Sequence, residues 1–220
     1  MFDTTFVDKD DCVFSHKERD CIQRTAGTAE TDARTFLPQL PLRIELTVQT
    51  GSSVIPETGE LGAADRPNHI SWTVDPSHAS SILDIVRTQL RPTLFHELNH
   101  IVRKLGMSHE QLLQRTLMDR VISEGLATAF ERDAGGRQSP WGQYPNDVQT
   151  WVEELLALPT HVSNQHYIQL MSRHPDGRRW IGYRVGTYLV DCAIAKSGLT
   201  AAELVSIPTT RILEIAGVNW

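Results

Sequence analysis

The chain has 220 residues, of which 40% are hydrophobic, and carries a formal net charge of −6. That length suits one large domain or one domain of two lobes, and that composition excludes a disordered chain. The acidic balance and the lack of a long basic run exclude nucleic acid as an expected partner, since "RHPDGRR" (173–179), the densest basic stretch, reads as a solvated loop.

The N-terminal "MFDTTFVDKDD" is acidic and lacks the apolar core of a signal peptide, and no stretch of the sequence approaches a membrane span. Cys12, Cys21 and Cys192 are too few and too scattered for a disulfide framework. A cytoplasmic protein with no membrane partner is expected. Cys12, His16 and Cys21 form a corner that lacks a fourth ligand and a CxxC pair, so it does not read as a structural zinc site.

Residues 17–37 read as a mostly polar surface helix ending at Pro38. "LRIELTVQT" (42–50) alternates apolar and polar residues, as does "HISWTVDP" (69–76), and both are expected as half-buried strands. Between them "GSSVIPETGELGAADRPN" reads as a long Gly- and Pro-rich loop. From Ser77 the pattern becomes helical. One helix is expected over 77–90, and Pro92 opens another that runs to about Gly106. A long helix follows over 107–134, closed by Gly135–Gly136. Helices over 147–158, 163–172, 179–197 and 200–216 complete the chain. The expected class is α+β, in one domain over 1–220. A small antiparallel or mixed sheet lobe (about 1–76) packs on a mainly helical lobe (about 77–220).

The chemistry concentrates in "TLFHELNHIVRK" (93–104). At about 100° per residue, Leu94, Phe95, Leu98, Ile101, Val102 and Leu105 share one arc, and His96 and His100 share the opposite one. Ring nitrogens at i and i+4 on a helix can converge on one ion, and Glu97 lies beside them within reach of whatever they bind. HExxH alone is short and also occurs by chance on a polar helix face, so a third ligand is needed.

The metzincin extension would need Gly and His where this chain has Arg103 and Gly106. The other large class takes a glutamate from a later helix. "RVISEGLATAF" (120–130) supplies Glu124, the one ionisable residue between Arg120 and Glu131, set among Val121, Ile122, Leu126 and Phe130. A buried carboxylate is costly unless paired, and a metal or an arginine removes that cost. Glu131, one heptad on, is the competing ligand. Gly125 costs about 1 kcal/mol in a helix, which points to close approach of another backbone. Two histidines and one glutamate leave one position for water, the set of a catalytic zinc site.

His96-Glu97-Leu98-Asn99-His100 followed by Glu124-Gly125-Leu126-Ala127 resembles the gluzincin pattern. More narrowly, the chain resembles the YjaZ-like predicted zinc-dependent proteases, which combine an HExxH helix, "EGLA" and a later GYxxGxxLV helix, here residues 182–190. The ending "TAAELVSIPTTRILEIAG" is similar too, and the resemblance covers about 65–217. It implies a zincin-like fold, one Zn²⁺ per chain on His96, His100 and Glu124, and a peptide or protein substrate. It also implies that Glu97 is the general base acting on a metal-bound water. In related gluzincins a tyrosine stabilises the oxyanion; Tyr183 is the first candidate here, ahead of Tyr188 and His174, with core packing as its alternative. Gly182 and Gly186 form a smooth strip suited to close helix packing. By analogy with zincins, the strand ending at Val74 is placed to pair with an extended peptide. Two other functions fit the same residues: a zinc-bound regulatory or protein-binding module with little or no hydrolysis, and a hydrolase of non-peptide amides.

Overall fold

In the computed structural model, residues 2–8, 13–105 and 107–218 are described. Cys12, and with it the Cys12–His16–Cys21 corner, lies outside them. The class is α+β, with one four-stranded mixed sheet near the N-terminus. The chain forms two compact units, Met1–Leu105 and Gly106–Trp220.

The first unit is built on β1 (Phe2–Val7), α1 (His16–Phe36), β2 (Ile44–Thr50), β3 (Glu60–Arg66) and β4 (His69–Val74). The sheet order is β1-β2-β4-β3, with β1, β2 and β4 parallel and β3 antiparallel to β4. Parallel neighbours require a crossover, and α1 supplies it between β1 and β2. Ile44, Leu46, Val48, Ile70, Trp72 and Val74 are fully buried on one face of the sheet. On α1, Ile22, Ala26, Ala29 and Ala33 repeat at three- and four-residue intervals and are buried, so the helix contributes a narrow, mostly small-residue core stripe. Ser15 caps it in a reciprocal box with Glu18.

Two strands depart from the sequence reading. β1 was hidden in a short acidic segment, although Phe2, Thr4 and Phe6 share one side of the strand. β3 occupies what reads as loop, because "ELGAADR" has no β-branched or aromatic residue to mark a strand. Its pairing with β4 is set by the connection through Pro67 and Asn68, where Asn68 takes φ 64° and Pro precedes it, the residue choice of a type II turn. Val74 therefore ends an interior strand. β4 is paired on both sides and cannot receive a peptide; the sheet edges are β1 and β3.

After the sheet, α2 (Ile82–Ile85), a π-helical turn (Val86–Leu90) and α3 (Arg91–Lys104) follow without a break in helical backbone. Pro92 does not open a separate helix. The wide turn just before it gives the ring room and accommodates its missing N–H. Arg91 ties α3 to α1 through Asp32 at 2.7 Å and stacks on Phe95.

The second unit comprises α4 (His109–Leu113), α5 (Leu117–Asp133), a 3₁₀ turn (Pro140–Gly142), α6 (Val148–Leu156), α7 (Asn164–Met171), α8 (Ile181–Ser197), α9 (Ala201–Leu204) and α10 (Thr209–Ala216). The expected helix over 107–134 is two helices. The Thr116 hydroxyl accepts from the Asp119 N–H at 3.0 Å while the Asp119 carboxylate accepts from the Thr116 N–H at 3.0 Å, a capping box that starts α5 afresh. The expected helix over 200–216 is likewise split before Pro208, which disfavours helical backbone at Ile207.

α5 and α8 make the principal contact of this unit, and glycine permits it. A Cβ on Gly125 would collide with the backbone of Gly186, and one on Gly186 with the carbonyl of Val121. Of the two glycines of the smooth strip, Gly186 makes this backbone-to-backbone crossing, while Gly182 leaves room for the Met171 side chain. Gly125→Ala forces the helices apart and is expected to lower the melting temperature by about 5–10 °C, an overpacking cost spread over a chain of this size. Thermal unfolding followed by circular dichroism checks this; an unchanged midpoint means that α5 and α8 do not meet here.

Candidate metal centre

α3 presents His96 and His100 one turn apart, and their Nε2 atoms face each other at 3.1 Å with the rings inclined by 76°. The helical wheel put these residues opposite the apolar arc. In the structure both arcs are covered: His96 and His100 are each only 7% exposed, and Asn99 between them is fully buried. Two imidazole nitrogens this close need a shared proton or a shared cation between them. Nitrogens bound to one tetrahedral zinc at about 2.0–2.1 Å lie about 3.3 Å apart, so the pair fits that ion.

Glu97 is buried as well, and its placement was not legible in the sequence. Its Oε2 accepts a hydrogen bond from the Ala64 N–H at 2.7 Å. The Ala64 carbonyl accepts from Lys104 Nζ at 2.9 Å, so the middle and the C-terminal end of α3 grip the same residue of β3. A register shift between Ala63 and Arg66 frees Ala64 from β4 for these bonds, as a β-bulge does. His69 braces the bulge, with Nδ1 2.6 Å from Asp65 Oδ1 and Nε2 2.9 Å from Thr47 Oγ1. Gly62 completes the cradle. A Cβ there would strike the Thr93 methyl and come within 3.0 Å of Glu97 Cγ. The buried Glu60 carboxylate accepts from Trp72 Nε1 at 2.7 Å and Thr93 Oγ1 at 3.1 Å, fixing the first turn of α3 to the strand.

Glu124 stands on α5, in the second unit, directly before Gly125. It is half-buried, more accessible than its apolar neighbours suggested. Its charge is felt by Arg115, whose pKa burial pushes down and Glu124 partly restores, and by Tyr167, whose phenol burial raises with Glu124 adding to the effect. Glu131, the rival ligand, lies in the last turn of α5 and is buried, and it accepts a hydrogen bond from the Ser139 hydroxyl. That bond gives Glu131 a structural role in holding the segment after α5.

Tyr183 is half-buried on the first turn of α8, with its ring 6.4 Å from that of Trp141. Tyr188 donates to Gln149 Oε1 at 3.3 Å and stacks edge-on against Tyr144. His174 lies 2.9 Å from Asp176 within the turn before α8. Local structure accounts for both of these residues.

Residues 22–214 match the family described as "Predicted Zn-dependent protease (DUF2268)", and the chain belongs to that family. The match bears out the YjaZ-like resemblance carried by HELNH, EGLA and GYxxGxxLV. It begins well upstream of those motifs, so α1 from Ile22 onward and β2–β4 are part of the family's domain. No curated protein and no solved structure matches the chain. Among the described residues, no helix is long and apolar enough to cross a membrane.

The paired nitrogens generate a direct expectation. Titration with Co²⁺ as a spectroscopic stand-in for Zn²⁺ is expected to give about one ion per chain with tetrahedral visible bands. Alanine at His96 or His100 is expected to weaken binding by at least ~100-fold, since each removes one of few protein ligands. Retained affinity in both variants would show that the ion is held elsewhere.

Proposed function

We propose that the chain is a zinc-dependent peptidase of the gluzincin type, with one zinc held by His96, His100 and Glu124. The observation that carries the reading is the buried HExxH pair with facing ring nitrogens, in a member of a family described as zinc-dependent proteases. Glu124 is the third donor of this reading, the later-helix carboxylate that follows the HExxH motif in the sequence. Two His and one Glu form a catalytic set, with a position left open for water or substrate. A zincin-like architecture is supported by β3, an edge strand whose backbone is bonded to the residue beside the first histidine.

Zinc, when bound, supplies Lewis acidity that makes water a nucleophile near neutral pH. Glu97 receives the proton of the attacking water and returns it to the leaving amine. Its bond to Ala64 engages Oε2 and aims the carboxylate, leaving Oε1 for that exchange. Tyr183 donates its phenol hydrogen to the carbonyl oxygen as negative charge develops there. The substrate is a peptide or a protein.

Glu97→Gln keeps the side-chain shape and an acceptor for the Ala64 N–H but cannot take a proton. It is expected to retain zinc and fold while peptide-library turnover falls by at least ~10². Tyr183→Phe is expected to lower kcat by a factor on the order of 10² with zinc content unchanged. Full activity of the Glu97 variant contradicts the mechanism; zinc bound by every variant with no turnover in the unaltered chain identifies a binding module instead.

The glutamates separate in a second experiment. Glu124→Gln loses an anionic ligand and is expected to weaken zinc binding by at least ~10-fold, whereas Glu131→Gln retains an acceptor for Ser139 and changes it little. Competition against a chelator reads both, and the reverse order transfers the ligand role to Glu131.

A further inference from the structure

A pocket of about 160 Å³ opens in the second unit, lined by Arg115, Arg120, His161, Asn164 and Tyr167. The charged side chains that line it are two arginines, with the carboxylates of Asp119 and Glu124 close enough for Arg115 to feel their charge. Arg115 donates from Nη2 to the Asp119 carbonyl at 2.9 Å, and Arg120 lies 4.8 Å from the centre of the Tyr167 ring. Among the described residues, neither guanidinium forms an ion pair with a carboxylate. The Asp119 carboxylate is occupied with capping Thr116. A guanidinium has five N–H donors in a planar fork, so Arg115 keeps most of its donors available. Burial and the neighbouring Arg120 charge both disfavour the Arg115 cation, and two guanidiniums facing one pocket form a receptor for an anion with two acceptor oxygens.

The position of the pocket narrows the anion. Arg120 and Glu124 are four apart on α5 and share one helix face. They are separated by about 6 Å of helix rise, the span of about two residues of extended chain. We infer that this pocket binds a carboxylate of the peptide substrate, one or two residues from the bond that is cut. The inference rests on Glu124 marking the reaction centre. The carboxylate is either the free C-terminus or an acidic side chain, and the pocket makes the enzyme selective for substrates that carry one.

Three blocked dipeptides on the full chain, with and without added zinc, test this by calorimetry or NMR titration: acetyl-Ala-Ala as the free acid, acetyl-Ala-Ala amide, and acetyl-Ala-Asp amide. At least one carboxylate probe is expected to bind about 10-fold or more tighter than the uncharged amide, and Arg120→Gln is expected to erase the difference. Preference for the free acid assigns the C-terminus, and preference for the Asp amide assigns an acidic side chain. Arg120 carries the test because Arg115 also holds the Asp119 carbonyl. If the Arg120 variant does not fold, the comparison of acid with amide on the unaltered chain still decides. Equal binding of all three probes, or discrimination that survives Arg120→Gln, overturns the inference. Metal analysis of the same samples keeps the two readings apart. A chain that holds zinc but does not discriminate defeats the pocket alone; one that discriminates but takes up no zinc defeats the metal reading alone.

Discussion

Two imidazoles are buried on one helix face with their Nε2 atoms 3.1 Å apart. That arrangement is unfavourable for two neutral acceptors and worse for two cations, because the surroundings cannot screen either. It becomes favourable when a proton or a metal ion lies between the nitrogens. Much of the first unit holds α3 in place to present this pair: Asp32 and Arg91 at its start, Glu60 and Thr93 along its first turn, Lys104 at its end. The helix is fixed at several points along its length before any ligand arrives, which is the preorganisation that a catalytic ion requires.

The second recurring device is the use of β3 as a brace. Its bulge turns Ala64 toward α3, where the Glu97 carboxylate takes the N–H and Lys104 the carbonyl. A buried carboxylate with one oxygen engaged has a defined direction for the other. In the second unit the glycine crossing of α5 and α8 plays a comparable part. It lets the helix bearing Glu124 lie backbone to backbone against the helix bearing Tyr183. Each candidate catalytic group is therefore set by a backbone feature, a bulge in one unit and a glycine contact in the other.

What could be read in the sequence divides along physical lines. The pairing of His96 with His100 was legible because helical periodicity fixes i,i+4 neighbours without tertiary information, whereas the bond that seats Glu97 on Ala64 was not. Gly125 and Gly186 were legible because mid-helix glycine is costly and so implies contact. β3 was not legible, since its strand character comes from pairing with β4 and not from "ELGAADR" itself. The break before α5 was visible in principle, because Thr116 and Asp119 have capping-box spacing, but the apolar period runs through it and conceals it. The partner of Glu131 was not legible either, since only the fold brings Ser139 over it. The interior position of β4 depended on strand order, which alternation does not encode.

The central claim is that one zinc sits on the HExxH helix with Glu124 as its third protein ligand. Diffraction from zinc-loaded crystals, collected above and below the zinc absorption edge, tests it without assuming any substrate. The account predicts a single strong anomalous peak per chain at bonding distance, about 2.0–2.2 Å, from Nε2 of His96, Nε2 of His100 and a carboxylate oxygen of Glu124. A peak away from these residues, or one bound by both histidines with Glu124 turned aside, would contradict it.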